Sequence, residues 1–251
     1  LLTYLQCENN RLTGLDVSQN PELYRLWTNN NKLTWLNVAA TTKLAELRCS
    51  ENTLTTLDVT NNPELKEFYC DKNQLTAMNL ASNLKLQDFR CQNNLLTELD
   101  LSNNTLLKDL RCSNNELASL DLSNKAELVY LYCDNNDLTS LVLSDSPKLT
   151  TLYCHSDTLT ALDLTANTLL TRVDCYTNYI TGDAMTALMN SLPDRTGKTA
   201  GKLILIDNKR LPYSYHADGN SATVSDVNIA TGKNWLVYDN NMGWPIQFPG
   251  Y

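Results

Sequence analysis

The chain has 251 residues, 42% of them hydrophobic, and carries 28 acidic side chains against 20 Lys and Arg for a net charge of −8. No run of basic residues occurs, which argues against nucleic acid and anionic membrane as partners. No apolar stretch approaches the roughly 20 residues needed to cross a bilayer. The opening residues already lie inside a repeat, so the sequence reads as a mature or trimmed piece whose leader and first cap are absent.

From the first residues to Ile180 the chain keeps a 21-residue ruler. Cys49, Cys70, Cys91, Cys112, Cys133, Cys154 and Cys175 stand on successive marks, Cys7 lies two marks before Cys49, and Thr28 fills the mark between. Around each lies one frame, as in Leu107-x-x-Leu110-x-Cys112-x-x-Asn115-x-Leu117-x-x-Leu120-Asp121-Leu122. A short period repeated in tandem predicts a solenoid, in which each coil buries its apolar face against its neighbours.

Within a coil, Leu and Cys sit on alternate positions, the period of two that sends both to one face of a strand. They predict an inward strand face, with parallel strands stacked about 4.8 Å apart. A second apolar set, such as Leu96, Leu99 and Leu101, closes the opposite side. One polar residue follows each strand: Asn10, Asn31, Asn52, Asn73, Asn94, Asn115, Asn136, then Asp157, then Asn178. An inward Asn uses both its carbonyl and its amide on the backbone of the bend. Asp157 lacks the amide donor, which predicts an altered and looser turn there. Pro21, Pro63 and Pro147 in the return loops leave no room for a full helix, so the coils are narrow and mostly β.

This unit resembles the bacterial leucine-rich repeat, and the cysteine in a 21-residue frame ending Leu-Thr-x-Leu-Asp-Val-Ser-x-Asn-Pro is similar to the internalin J type. The match covers residues 2 to about 181 and departs at Thr28, Val142, Asp157 and the last repeat. The resemblance implies a right-handed, curved solenoid on the outside of a bacterial cell, used for attachment or recognition. It supplies no catalytic residues. The tail is similar to those of surface repeat proteins from Bacteroidetes.

The eight cysteines read as buried free thiols, since side chains at equivalent points of parallel coils run side by side, whereas a disulfide needs Cβ atoms about 3.8 Å apart and turned toward each other. A single-file column also lacks the paired spacing and tetrahedral convergence of a zinc site. The column Asp16, Asn37, Asp58, Asn79, Asp100, Asp121, Val142, Asp163 offers one oxygen group per coil, too few for calcium, and reads as side chain to backbone bonding in turns.

At residue 182 the pattern changes, giving a division into leucine-rich repeats over 1–181 and α/β coils with a cap over 182–251. Asp183 reads as the cap of a helix bearing Met185, Leu188, Met189 and Leu192, stopped by Pro193. Leu203 to Asn208 and Trp235 to Asn240 read as strands, Ser225 to Ala230 as a short helix, and Gly243 to Tyr251 as a lid.

With Leu and Cys inward, the outward middle column is Gln6, Trp27, Arg48, Tyr69, Arg90, Arg111, Tyr132, Tyr153, Asp174. Trp, Tyr and Arg are the types that dominate binding hot spots. The candidate partner-binding residues are therefore Trp27, Arg48, Tyr69, Arg90, Arg111, Tyr130, Tyr132, Tyr153 and Tyr176, with the emphasis on the Tyr-rich end. The acids Glu46, Glu67, Asp88 and Asp109 lie beside the arginines, so part of the display is internal pairing. Sheet-favouring aromatics are the alternative account of the same column. Only His155 and His216 are present, both read as surface residues, and no catalytic motif, cofactor motif or metal-ligand spacing occurs. The reading is a non-enzymatic, extracellular or cell-surface binding protein with a protein partner on the sheet face. A glycan-binding face and a passive spacer are the alternatives.

Overall fold

The structure, a computed structural model, describes residues 1–207 and 218–240. His216 and the segment read as a lid lie outside the described residues.

The alternation Leu-x-Cys does what its period dictates. In the repeats three-residue strands form at each mark: β1 (Tyr4–Gln6), β3 (Arg25–Trp27), β5 (Glu46–Arg48), β6 (Glu67–Tyr69), β7 (Asp88–Arg90), β8 (Asp109–Arg111), β9 (Tyr130–Tyr132), β10 (Thr151–Tyr153) and β11 (Arg172–Asp174). With β12 (Gly201–Ile206) and β13 (Trp235–Asp239) they form an eleven-stranded sheet, among the described residues, whose pairings are all parallel. In the repeats the register advances by 21 residues per strand, as in Leu110↔Leu131. Thus each residue stands directly beside its equivalents. The protein is a leucine-rich repeat β-solenoid of about eight turns.

The central residue of each strand, from Leu26 through Phe68 and Phe89 to Val173, is fully buried, as are Cys49 to Cys175. Burying each such side chain contributes roughly 1.5–3 kcal/mol relative to exposure. Thr28 is also fully buried and donates through Oγ1 to Arg48 O at 3.3 Å, the bond that the Cys49 thiol makes to Tyr69 O. A hydroxyl therefore replaces a thiol without leaving a polar atom stranded. The eight cysteines are free thiols.

Two polar ladders hold the bends. In the first, Asn94 Nδ2 donates to the carbonyls of Cys70 and Cys91, and its Oδ1 accepts from Leu75 N–H. Asn31, Asn52, Asn73, Asn115, Asn136 and Asn178 repeat this arrangement, each joining its own coil to the preceding one. Asn10, in the first coil, bonds only to the carbonyls of Cys7 and Glu8. The second ladder runs through the return loops: Asn62, Asn83, Asn104 and Asn167 are buried and donate to carbonyls of the coil before, with half-buried Asn20 and buried Thr41, Lys125 and Ser146 at the remaining marks.

The turn at Asp157 is altered in its bonding, Asn136 N–H donating to Asp157 Oδ1 where the equivalent Asn94 N–H donates to Asn114 O, but not in the φ of the residue before the rung. Ser156 has φ 56°, as Asn135 does at 54° one coil earlier, so the residue before the rung keeps the same left-handed conformation. The difference lies in the side chain.

The Asp and Asn column on the opposite side does make turn bonds, Asp16, Asn37, Asp58, Asn79, Asp100, Asp121 and Asp163 each accepting from the N–H two residues on. There β2 (Gly14–Asp16) and β4 (Trp35–Asn37) add a two-stranded ladder that periodicity did not predict. The ring of Trp35 lies where a Cβ on Gly14 would be, 2.3 Å away.

Past the repeats, α1 (Gly182–Ser191) buries Met185, Leu188 and Met189, and Leu192 after it is buried too. Its N-cap is Thr181, not Asp183, which falls within the first turn, where a carboxylate favours the helix dipole instead. A second helix, α2 (Val224–Gly232), packs on α1 and begins with a reciprocal cap between Thr223 and Asp226.

Candidate functional site

The outer sheet face carries two columns set by strand register. The first runs Tyr4, Arg25, Glu46, Glu67, Asp88, Asp109, Tyr130, Thr151, Arg172 and the second Gln6, Trp27, Arg48, Tyr69, Arg90, Arg111, Tyr132, Tyr153, Asp174. Seven of the nine candidate residues thus stand in one file: Trp27, Arg48, Tyr69, Arg90, Arg111, Tyr132 and Tyr153. Tyr130 is exposed on the first column, and Tyr176 lies just beyond β11.

The file is a stack. The Arg48 guanidinium carbon lies 4.5 Å from the centroid of Trp27 and 4.9 Å from that of Tyr69, and Arg90 covers the other side of Tyr69 at 4.2 Å. Arg111 lies over Tyr132 at 4.7 Å, Tyr132 stacks on Tyr153 at 4.6 Å with 20° between planes, and Arg172 closes over Tyr153 at 4.7 Å. Because the coils follow one another along the sheet, Tyr69, Tyr132 and Tyr153 are each sandwiched by the coil before and the coil after. Their ring faces are filled. Edges and hydroxyls are what remain to meet another molecule.

Acids pin the cations. Glu46, outward but only 6% exposed, accepts from Arg25 at 2.5 Å, Trp27 Nε1 at 2.8 Å and Arg48 at 2.7 Å. Tyr69 Oη donates to Asp88 at 2.5 Å, and Asp88 also pairs with Arg90 at 3.1 Å. Asp109 clamps Arg111 at 2.9 Å, and Asp174 clamps Arg172 at 2.8 Å. These bonds raise both guanidinium pKa values further. Burial, then the nearby Asp174, pushes the Tyr153 phenol up to about 12. The phenol is therefore a neutral donor and acceptor near neutral pH. Exposed ion pairs contribute about 0–1 kcal/mol each, but a connected file shares its ordering cost among members and holds the side chains in place before any partner arrives.

His155 corrects the sequence reading. Its side chain is 14% exposed, stacked on Tyr176 at 4.2 Å with 12° between planes and 3.5 Å from Asp134. Burial lowers its pKa and so favours the neutral ring, against the opposing pull of Asp134. Asp134 in turn accepts from Ser113 Oγ at 2.7 Å. The signal for these residues was available: Asp134, His155 and Tyr176 each follow a cysteine mark directly, which makes them a third outward column.

Neither a protein-family model nor a curated sequence matches the chain. Solved structures do. The functional domain of InlJ from Listeria monocytogenes, whose description includes a cysteine ladder, is 39% identical over 82% of this chain, with a TM-score of 0.74. A leucine-rich repeat protein of Leptospira interrogans matches at 22% identity over 75% of the chain, TM-score 0.71, and internalin C2 of Listeria monocytogenes at 23% over 66%, TM-score 0.60. The chain spans 44%, 52% and 76% of those three structures respectively.

Proposed function

We propose that this internalin-like leucine-rich repeat protein, a cysteine-ladder solenoid, is a non-enzymatic binding or adhesion protein that recognises a protein partner on its outer sheet face, at the surface of a bacterial cell or after secretion. The observation that carries the reading is the sandwiched file from Trp27 to Tyr153. It fixes large amphipathic side chains in advance, so docking costs less side-chain entropy. The Tyr-rich end, with Arg111, Tyr130, Tyr132, Tyr153 and Tyr176, supplies the hot spot. The filled ring faces favour protein over glycan, because a sugar stacks on the open face of a ring, whereas a protein surface meets edges and phenol hydroxyls equally well.

The test is binding of the chain to host and bacterial cells, before and after protease treatment of those cells, beside a glycan array. Binding is expected to vanish with protease, to be absent from the array, and to weaken at least about tenfold in the Tyr132→Ala/Tyr153→Ala double variant, the loss of one hot spot or more. Binding that survives protease and appears on the array would transfer the face to a carbohydrate. A double variant that binds as well as the parent would make the face filler on a spacer.

A further inference from the structure

Asp157 occupies a rung of the first ladder with the wrong chemistry. Its Oδ1 accepts from Leu138 N–H, as the Asn Oδ1 does in other rungs, and also from Asn136 N–H. A planar carboxyl anchored there places Oδ2 at the station of the amide nitrogen, which in a rung such as Asn136 donates to the cysteine carbonyls of its own and the preceding coil. For Asp157 these are the carbonyls of Cys154 and Cys133, which offer lone pairs and no proton. Oδ2 is buried, and among the described residues it is the one such carboxylate oxygen without a partner.

We propose that Asp157 is a proton-operated rung: with a proton on Oδ2 it joins two coils as an asparagine amide does, and without one it repels those carbonyls and loosens the joint beneath Tyr132 and Tyr153. No covalent change is involved; the proton is exchanged with solvent. The groups around it do not relieve the charge. Asp134 and Asp137 oppose ionisation, the thiols of Cys112, Cys133 and Cys154 are themselves held protonated by burial, and neighbouring His155 turns to Asp134. Burial, the largest cause, lifts the carboxyl from 3.8 to about 8. The folded chain thus holds the proton more tightly than the unfolded one, so the stabilisation is complete below about pH 4 and is lost as pH rises toward about 8. The switch itself does not depend on the proposed binding role, but its effect on a partner at the Tyr-rich end does.

Hydrogen exchange at the Asn136 and Leu138 amides tests this, read as the ratio of rates in wild type to Asp157→Asn and corrected for intrinsic pH dependence. The ratio is expected to rise about tenfold or more from pH 6 to pH 9 with a midpoint near 8, the behaviour of one linked proton. Asn136→Asp, which moves the same defect one coil earlier, should acquire the dependence in its own coil. A pH-independent ratio, a carboxyl titrating near its ordinary 3.8, or an Asp157→Asn chain that does not fold would each overturn the proposal. None of these readouts involves a partner, so they fail or succeed apart from the binding reading.

Discussion

Removing a single rung isolates what the first ladder contributes. Asn94→Ala deletes three buried hydrogen bonds, to Cys70 O at 3.1 Å, to Cys91 O at 3.0 Å and from Leu75 N at 3.0 Å. The two carbonyls are not stranded, because Cys70 O still receives the amide of Asn73 and Cys91 O that of Asn115. Cys70 O and Cys91 O are each shared by two amides, so those two losses are worth about 0.5–1.5 kcal/mol apiece. The Leu75 N–H has no second acceptor and is left buried and unpaired, at about 1–3 kcal/mol. The total is roughly 2–6 kcal/mol. The control is Lys85→Ala, which breaks the exposed pair with Glu64 and costs at most about 1 kcal/mol. Urea unfolding followed by circular dichroism reads both as shifts in midpoint at constant slope. A loss for Asn94→Ala under about 1 kcal/mol, level with the control, would refute the claim that the rungs fasten one coil to the next.

The thiols give a second check: burial raises the pKa of every cysteine, least for half-buried Cys7, so the folded protein should react with a thiol reagent at Cys7 alone and the unreduced, denatured protein at all eight. Fewer than eight reactive groups after denaturation would indicate disulfides. The residue before each rung is left-handed, and at the last coil it is β-branched Thr177, φ 51°. Thr177→Asn is expected to raise the unfolding free energy by about 1 kcal/mol, and a loss in the same urea experiment would contradict the strain argument.

Periodicity made the coil and its sidedness legible, because a side chain one position off in a three-residue strand changes face, and Leu47, Cys49 and Arg48 leave no ambiguity about which is which. Less legible were features set by contacts between coils. The second ladder is spelled Asn62, Asn83, Asn104 and Asn167, but Thr41, Lys125 and Ser146 interrupt it, and an Asn in a return loop looks like an ordinary turn residue until its neighbour is stacked beneath it. The acid-arginine pairing was foreseen in kind, yet the burial of Glu46 under three donors depends on rotamers reaching across coils. His155 was misread because it was judged as a lone residue rather than by its place after the cysteine mark. At α1, Thr181 and Asp183 are both fit to cap, and only the backbone tells which one does.

A partner is expected to meet the outer sheet face at its Tyr-rich end. A photo-reactive phenylalanine placed at position 153 on that face, and separately at exposed position 140 on the opposite side, interrogates it directly. With cells that bind the chain, irradiation is expected to yield a protein adduct from position 153 and none from 140. Adducts from 140 alone, or equally from both, would take the binding site off the outer sheet face.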